Sequence, residues 1–320
     1  MFHRIFTQDG VFHLHSVDQH SETLSMLQCW DYLETHGFTG LWPLQATSLG
    51  DLVFSQNDHS SYMVASKGGR PGELGLRIDA VKAASILAKL HLLSQDLPLS
   101  LQGGLPKSKP TIRELTQKRE ELDLFRNMAL HRLYPTAFDL FFARLYEDAV
   151  WQADRAIHIL GRIDVEQLQE EPQLVGLLQG TCHGRSFWVT DDGNLRLVHL
   201  LGSSWGLLVQ DVAALLANIG CYAEWSLTTA WRALAAYQGI RPLRHIELEL
   251  IYGLGIFPKG IWEVAHDHYK GSRNRDESEA VEALRQERQR ASNQREYWHY
   301  LLGDELGYED RSGCPGSRLV

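Results

Sequence analysis

The chain has 320 residues, enough to bury a sizeable core in one large or two modest domains. Its 44% hydrophobic and 22% charged content is that of a soluble globular protein. A formal net charge of −9 argues against a duplex nucleic-acid surface, which needs a dense positive field to displace counterions.

The first ten residues, MFHRIFTQDG, lack the charged-then-apolar pattern of a signal peptide. No apolar run approaches the ~20 residues that span a bilayer; the best candidate, Leu207 to Ile219, is broken by Gln210 and Asp211. The expectation is a chain made in a cytosol, with no nucleic-acid partner and no membrane span. Cys29, Cys182, Cys221 and Cys314 form no CxxC pair and are expected as thiols.

In chain order, RIFT, QDG and VFHLHSV predict a hairpin turning at Asp9-Gly10. Leu24, Leu27, Trp30 and Leu33 mark a helix face, with Ser21 as its expected cap and Gly37 as its stop. LVFS and YMVAS, around a polar turn QNDHSS, predict a second hairpin. Ser66 to Gly75, SKGGRPGELG, reads as a Gly/Pro linker. A helix capped at Asp79 follows, DAVKAASILAKLHLLS. Residues 111–160 predict long amphipathic helices turning at Pro135. FWVT, DDGN and LRLVHL predict a third hairpin. VQDVAALLANIG, SLTTAWRALAAYQG and HIELELIYGLGIF are three more helices, and a charged helix precedes a Gly/Ser-rich tail. The expected organisation is a β-rich lobe at 1–66, a hinge at 67–76, a helical lobe at 77–303 and a flexible tail at 304–320.

That layout is kinase-like. The ordered strings YLETHGF, LAKLH, TAFD, CHG, VTDDG, SWG…VQDVAALL, AYQ and FPKGIWEVAHDHY resemble the spore coat protein S family, relatives of the aminoglycoside and choline phosphotransferases. The resemblance covers nearly the whole chain and implies an α+β, two-lobed, aminoglycoside phosphotransferase-like fold. It places the linker along a cleft, with the hairpin from Phe187 to Leu200 at the cleft floor. In active relatives an Asp after His-Gly handles the substrate proton. An Asn and a second Asp hold magnesium, and a Lys on an N-lobe strand pairs with phosphate.

This sequence departs at each of these positions. His183-Gly184 is kept, but Arg185 stands at the base position, and a guanidinium cannot act as a base. The loop that should carry the Asn is missing, because Phe187 starts the hairpin almost at once; Asn194 lies beyond the DDG turn. His199 stands for the second Asp and His15 for the Lys. His183, Gly184 and Asp211 match positions that in the family brace the loop and the following helix. No catalytic residue, cofactor or metal is therefore expected.

Each feature has a plainer reading. Arg185 is either an anion-binding group in the old cleft or an exposed arginine on a short loop. His13, His15, His183 and His199 suggest a metal by ligand type, yet no carboxylate or thiolate completes a recognisable spacing. Asp191 and Asp192 are turn residues. Trp151, Trp205, Trp225, Trp231 and Trp262 are expected in helical patterns or at helix starts, packed in the core. Arg273 to Arg295 is a solvated helix or a partner-docking face. The resemblance implies a catalytically inactive component of the endospore coat. It would be made in the mother-cell cytoplasm and would contact other coat proteins or coat polysaccharide. The alternatives are an atypical phosphotransferase acting on a sugar-like or amino-alcohol hydroxyl, and a small-molecule sensor using the residual cleft.

Overall fold

Side-chain alternation along VFHLHSV puts His13 and His15 on one face of a strand, and both are buried. The computed structural model describes residues 2–8, 10–17, 20–56, 59–66, 68–108, 111–200, 202–271 and 276–308. Asp9 of the first turn, residues 57–58 of the second, Lys67 of the linker, residues 272–275, and the tail from 309, including Cys314, lie outside the described residues. Among the described residues no helix is long and apolar enough to cross a membrane.

The chain opens with β1 (Phe2–Thr7), β2 (Gly10–Val17), α1 (His20–Thr35), β3 (Leu44–Gln45), β4 (Phe54–Gln56), β5 (His59–Ser66) and β6 (Gly69–Pro71). Helices α2 (Arg77–Ser94), α3 (Leu99–Gln102), α4 (Thr111–Leu130), α5 (Ala137–Leu160) and α6 (Val165–Gln169) follow. Then come β7 (Val175–Leu178), β8 (Phe187–Thr190), β9 (Leu195–Leu197) and β10 (Ser204–Leu207). The chain continues through α7 (Val209–Tyr222), α8 (Leu227–Gln238), α9 (His245–Ile256), α10 (Lys259–Lys270) and α11 (Glu277–Trp298).

These elements form two compact units, residues 1–108 with 167–243 and residues 109–166 with 244–320. In the first, an antiparallel sheet runs β1-β2-β5-β3, with β4 also on β5. Helix α2 packs along α8, where buried Ala83, Ala84, Ala230 and Ala233 leave room for close approach. In the second, α4 packs on α5, α5 on α9, and α10 on α4 and α11, around Phe125, Phe138, Phe142 and Trp298. Thr136 and Asp139 close the start of α5 as a capping box. The boundary expected at residues 67–76 falls inside the first unit.

The structure corrects several local expectations. Helix α1 begins at His20, so Ser21 lies inside it. Asp79 is the third residue of α2 and does not cap it; its carboxylate instead accepts from Arg70 (2.7 and 3.1 Å) and from the Glu73 N–H (3.0 Å). The linker is not a bare connection, because β6 pairs antiparallel with β8. Gly69 makes this possible: its φ is +135°, and a Cβ there would sit 2.0 Å from the Val189 carbonyl oxygen. Trp205 lies in a strand, β10, paired with β7, and Trp231 is exposed.

Candidate active site

The segment after β7 is held from within. Gln179 is fully buried; its Oε1 accepts from the Thr181 and Cys182 N–H groups (3.0 and 2.6 Å), and its Nε2 donates to Thr181 Oγ1 (2.7 Å). Asn218 Nδ2, from α7, donates to the Cys182 carbonyl (3.1 Å). Gly184–Ser186 form one turn of 3-10 helix and run straight into β8. Ser186 Oγ lies 3.0 Å from Thr181 Oγ1 and 3.2 Å from His183 Nδ1. A Cβ at Gly184 would come within 2.7 Å of the Gly72 carbonyl oxygen, so this turn lies against the linker.

Behind the loop is Asp211, 2% exposed, in the first turn of α7. It accepts from the Gln179 and Gly180 N–H groups (2.6 and 3.0 Å) and from His91 Nε2 (3.2 Å). His183 is not its partner. His91, also fully buried, has Nδ1 2.7 Å from the Tyr237 hydroxyl, which accepts from Arg241 (3.4 Å). The Asp211 carboxylate can only accept, so His91 Nε2 donates to it; in the neutral ring Nδ1 is then left to accept from the Tyr237 hydroxyl. Burial, reinforced by Asp211, pushes the Cys182 thiol well above its usual range.

Of the positions assigned by the resemblance, His15 lies near His199, and His199 near His183. Arg185 is exposed and makes no hydrogen bond or ion pair among the described residues. His199 is half-buried. Burial, then His183, lowers its pKa, and its Nδ1 is buried with no hydrogen-bond partner among the described residues. His15 is 5% exposed; burial, then His199 and His13, brings it down to about 4. Its ring stacks on Tyr62 (centroids 4.9 Å). His13 meets Trp42 edge-on (4.8 Å), and Trp42 meets Trp188 of β8 (5.8 Å). A continuous run of rings thus links the inner face of the sheet to the hairpin.

Two carboxylates of this region carry hydrogen bonds of their own. Both oxygens of Asp211 are taken, and Asp192 Oδ1 accepts from Thr190 Oγ1 (2.5 Å) and the Asn194 N–H (3.1 Å) to hold its own turn. Gly193 has φ +77°, and Asn194 is exposed beyond it. Among the described residues no three His, Cys, Asp or Glu side chains form a group able to hold a metal ion.

Over this architecture the chain superposes on an aminoglycoside phosphotransferase from Alicyclobacillus acidocaldarius subsp. acidocaldarius DSM 446. The TM-score is 0.84 at 16% identity, over 96% of this chain and 91% of that one. The fold is that of the aminoglycoside phosphotransferases. It is α+β and kinase-like, with a small sheet lobe and a helical lobe. A spectinomycin phosphotransferase solved with ADP and spectinomycin matches at TM-score 0.64 and 14% identity, over 89% and 84% of the two chains. A microcompartment-associated aminopropanol kinase matches at 0.56 and 16%, over 92% and 87%. No protein-family model matches the sequence, and no curated protein matches it.

Sequence reasoning missed His91, Tyr237, Arg241, Gln179 and Asn218. A signal existed for His91, a lone polar residue in the apolar stripe of LAKLHLL. The remaining four declare themselves only through their partners in space.

Proposed function

We propose that this chain keeps the phosphotransferase fold without the reaction, and serves as a structural or binding component of the endospore coat. On this reading it is made in the mother-cell cytoplasm and laid on the forespore against other coat proteins or coat polysaccharide. The observation that carries the inactive reading is the turn Gly184–Ser186. By the resemblance Arg185 stands at the base position, and β8 begins two residues later, a shorter stretch than a loop carrying a metal-binding Asn would need. The coat assignment rests on the sequence resemblance, since fold alone does not give function.

Calorimetry with ATP, with and without magnesium, tests the first half; the expected result is no magnesium-dependent heat at micromolar protein. A clear magnesium-dependent signal would favour the alternative that the fold neighbours support, a phosphotransferase acting on a sugar-like or amino-alcohol hydroxyl. Immunodetection in purified spore layers tests the second half, and confinement to the mother-cell cytosol would refute it. The sensor reading is favoured by Trp42 Nε1, Tyr62 Oη and His199 Nδ1, buried polar atoms without a hydrogen-bond partner among the described residues. A melting shift with a small polar ligand and no turnover would select that reading.

A further inference from the structure

Away from the loop at Arg185, the first unit carries a second concavity of about 580 Å³ between α2, the segment Gly37–Gly40 and the turn before β9. On α2 its wall is one face: Lys82, Ser85, Ile86 and Lys89 fall at i, i+3, i+4 and i+7. Arg196 closes the opposite side, with Thr39 and Asn194 beside it. Among the described residues three cations line the groove, and no carboxylate does. That is a local reversal of sign in a protein of net charge −9.

The neighbouring acids are mostly committed elsewhere. Asp192 holds its own turn, and Glu34, which feels Arg196, accepts from the Leu44 N–H (3.3 Å). Arg196 donates through one nitrogen to the carbonyls of Thr39 (2.8 Å) and Leu41 (2.6 Å), so its planar group is held in place. Its Nε has no hydrogen-bond partner among the described residues. Lys82 donates to the Gly193 carbonyl (2.5 Å). Lys89 is exposed and makes no hydrogen bond or ion pair among the described residues.

We propose that this groove binds a small linear molecule carrying phosphate groups. The two lysines stand seven positions apart on the helix, a rise of about 10 Å, so the cations suit anionic groups strung along a molecule better than one compact ion. The lining is rich in donors, and a phosphate offers three acceptor oxygens where a carboxylate offers two. The volume is that of a small-molecule site. The inference stands whether or not the loop at Arg185 supports phosphotransfer.

The probe is inorganic tripolyphosphate with EDTA present, read by thermal melting against sodium chloride of equal ionic strength. The expected result is a rise in melting temperature beyond the salt control. Lys89→Gln and Lys82→Gln should each weaken the apparent affinity by about tenfold, with Arg185→Gln binding as the parent does. Lys82→Gln also removes a hydrogen bond to the turn, so Lys89→Gln, with no such contact to lose, decides the matter. The proposal is overturned by no rise beyond salt, by an unchanged response in Lys89→Gln, or by loss confined to Arg185→Gln, which would place the probe in the old cleft.

Discussion

Replacing His15 by Phe should make the protein more acid-resistant. In the folded chain His15 is stacked on Tyr62 near His13 and His199 and titrates at about 4. In the unfolded chain it titrates near its ordinary value of about 6.5. The unfolded state therefore binds the extra proton first as pH falls. Stability is present above pH 6.5 and is lost as pH drops from there toward 4. Between pH 7 and pH 4.5 this one residue withdraws about 2 kcal/mol. Phenylalanine keeps the stack on Tyr62 and removes the titration. His199 titrates in both proteins, so its contribution largely cancels in the comparison. Urea unfolding at the two pH values gives the acid-induced loss for each protein. The loss should be about 2 kcal/mol smaller in His15→Phe, and equal losses would show that His15 is not held neutral.

Asp211→Ala leaves two backbone N–H groups and His91 without their acceptor. At about 3–5 kcal/mol for breaking a buried charged arrangement, and about 2–4 °C per kcal/mol, calorimetry should show a melting fall near 10 °C; a fall under about 2 °C would contradict the network. The double change Arg185→Asp, His199→Asp should give no magnesium-dependent turnover, because the turn into β8 still cannot position base and metal together, and misplacement by ~1 Å alone can cost 100-fold. Turnover that magnesium removal abolishes would show that loop length is not the disabling change. Iodoacetamide should label exposed Cys221 in the native protein while sparing Cys182 and Cys29, the latter pushed up to about 11 by burial; peptide mass spectrometry that finds Cys182 labelled before unfolding would refute the buried loop.

Much of this fold was legible because its signals are local. The alternation of VFHLHSV, the apolar stripe of α2 and the Asp-Gly turn before Asn194 each lie within a few residues. Signals from short or interrupted segments were lost. β10 is only Ser204–Leu207, and it becomes a strand through its partner β7, which lies before the catalytic-type loop. For α10 the spacing of Ile261, Val264 and Ala265 carries a helix signal, but Pro258 and Gly260 beside it read as a break. At the site, the sequence marks Asp211 as an acid inside an apolar run. It cannot say that the acid's side-chain partner is His91, 120 positions away. The phosphate groove is similar: Lys82 and Lys89 share a legible face, while Arg196 and Thr39 arrive from distant segments.

The pairing of β6 with β8 bears on how the first unit can move. Enzymes of the open-and-close kind turn over by flexing a connector, and product often leaves only when that connector bends. Here the connector is laced to the hairpin by the Gly72 N–H to Phe187 carbonyl bond (2.9 Å) and the Asp191 N–H to Gly68 carbonyl bond (3.3 Å). Arg70 pins it to α2 through a two-pronged grip on Asp79. Bending it means unzipping a ladder and breaking that grip together, since the linker is bonded to both the hairpin and α2. Loosening the linker therefore costs backbone hydrogen bonds and the Arg70–Asp79 pair at the same time.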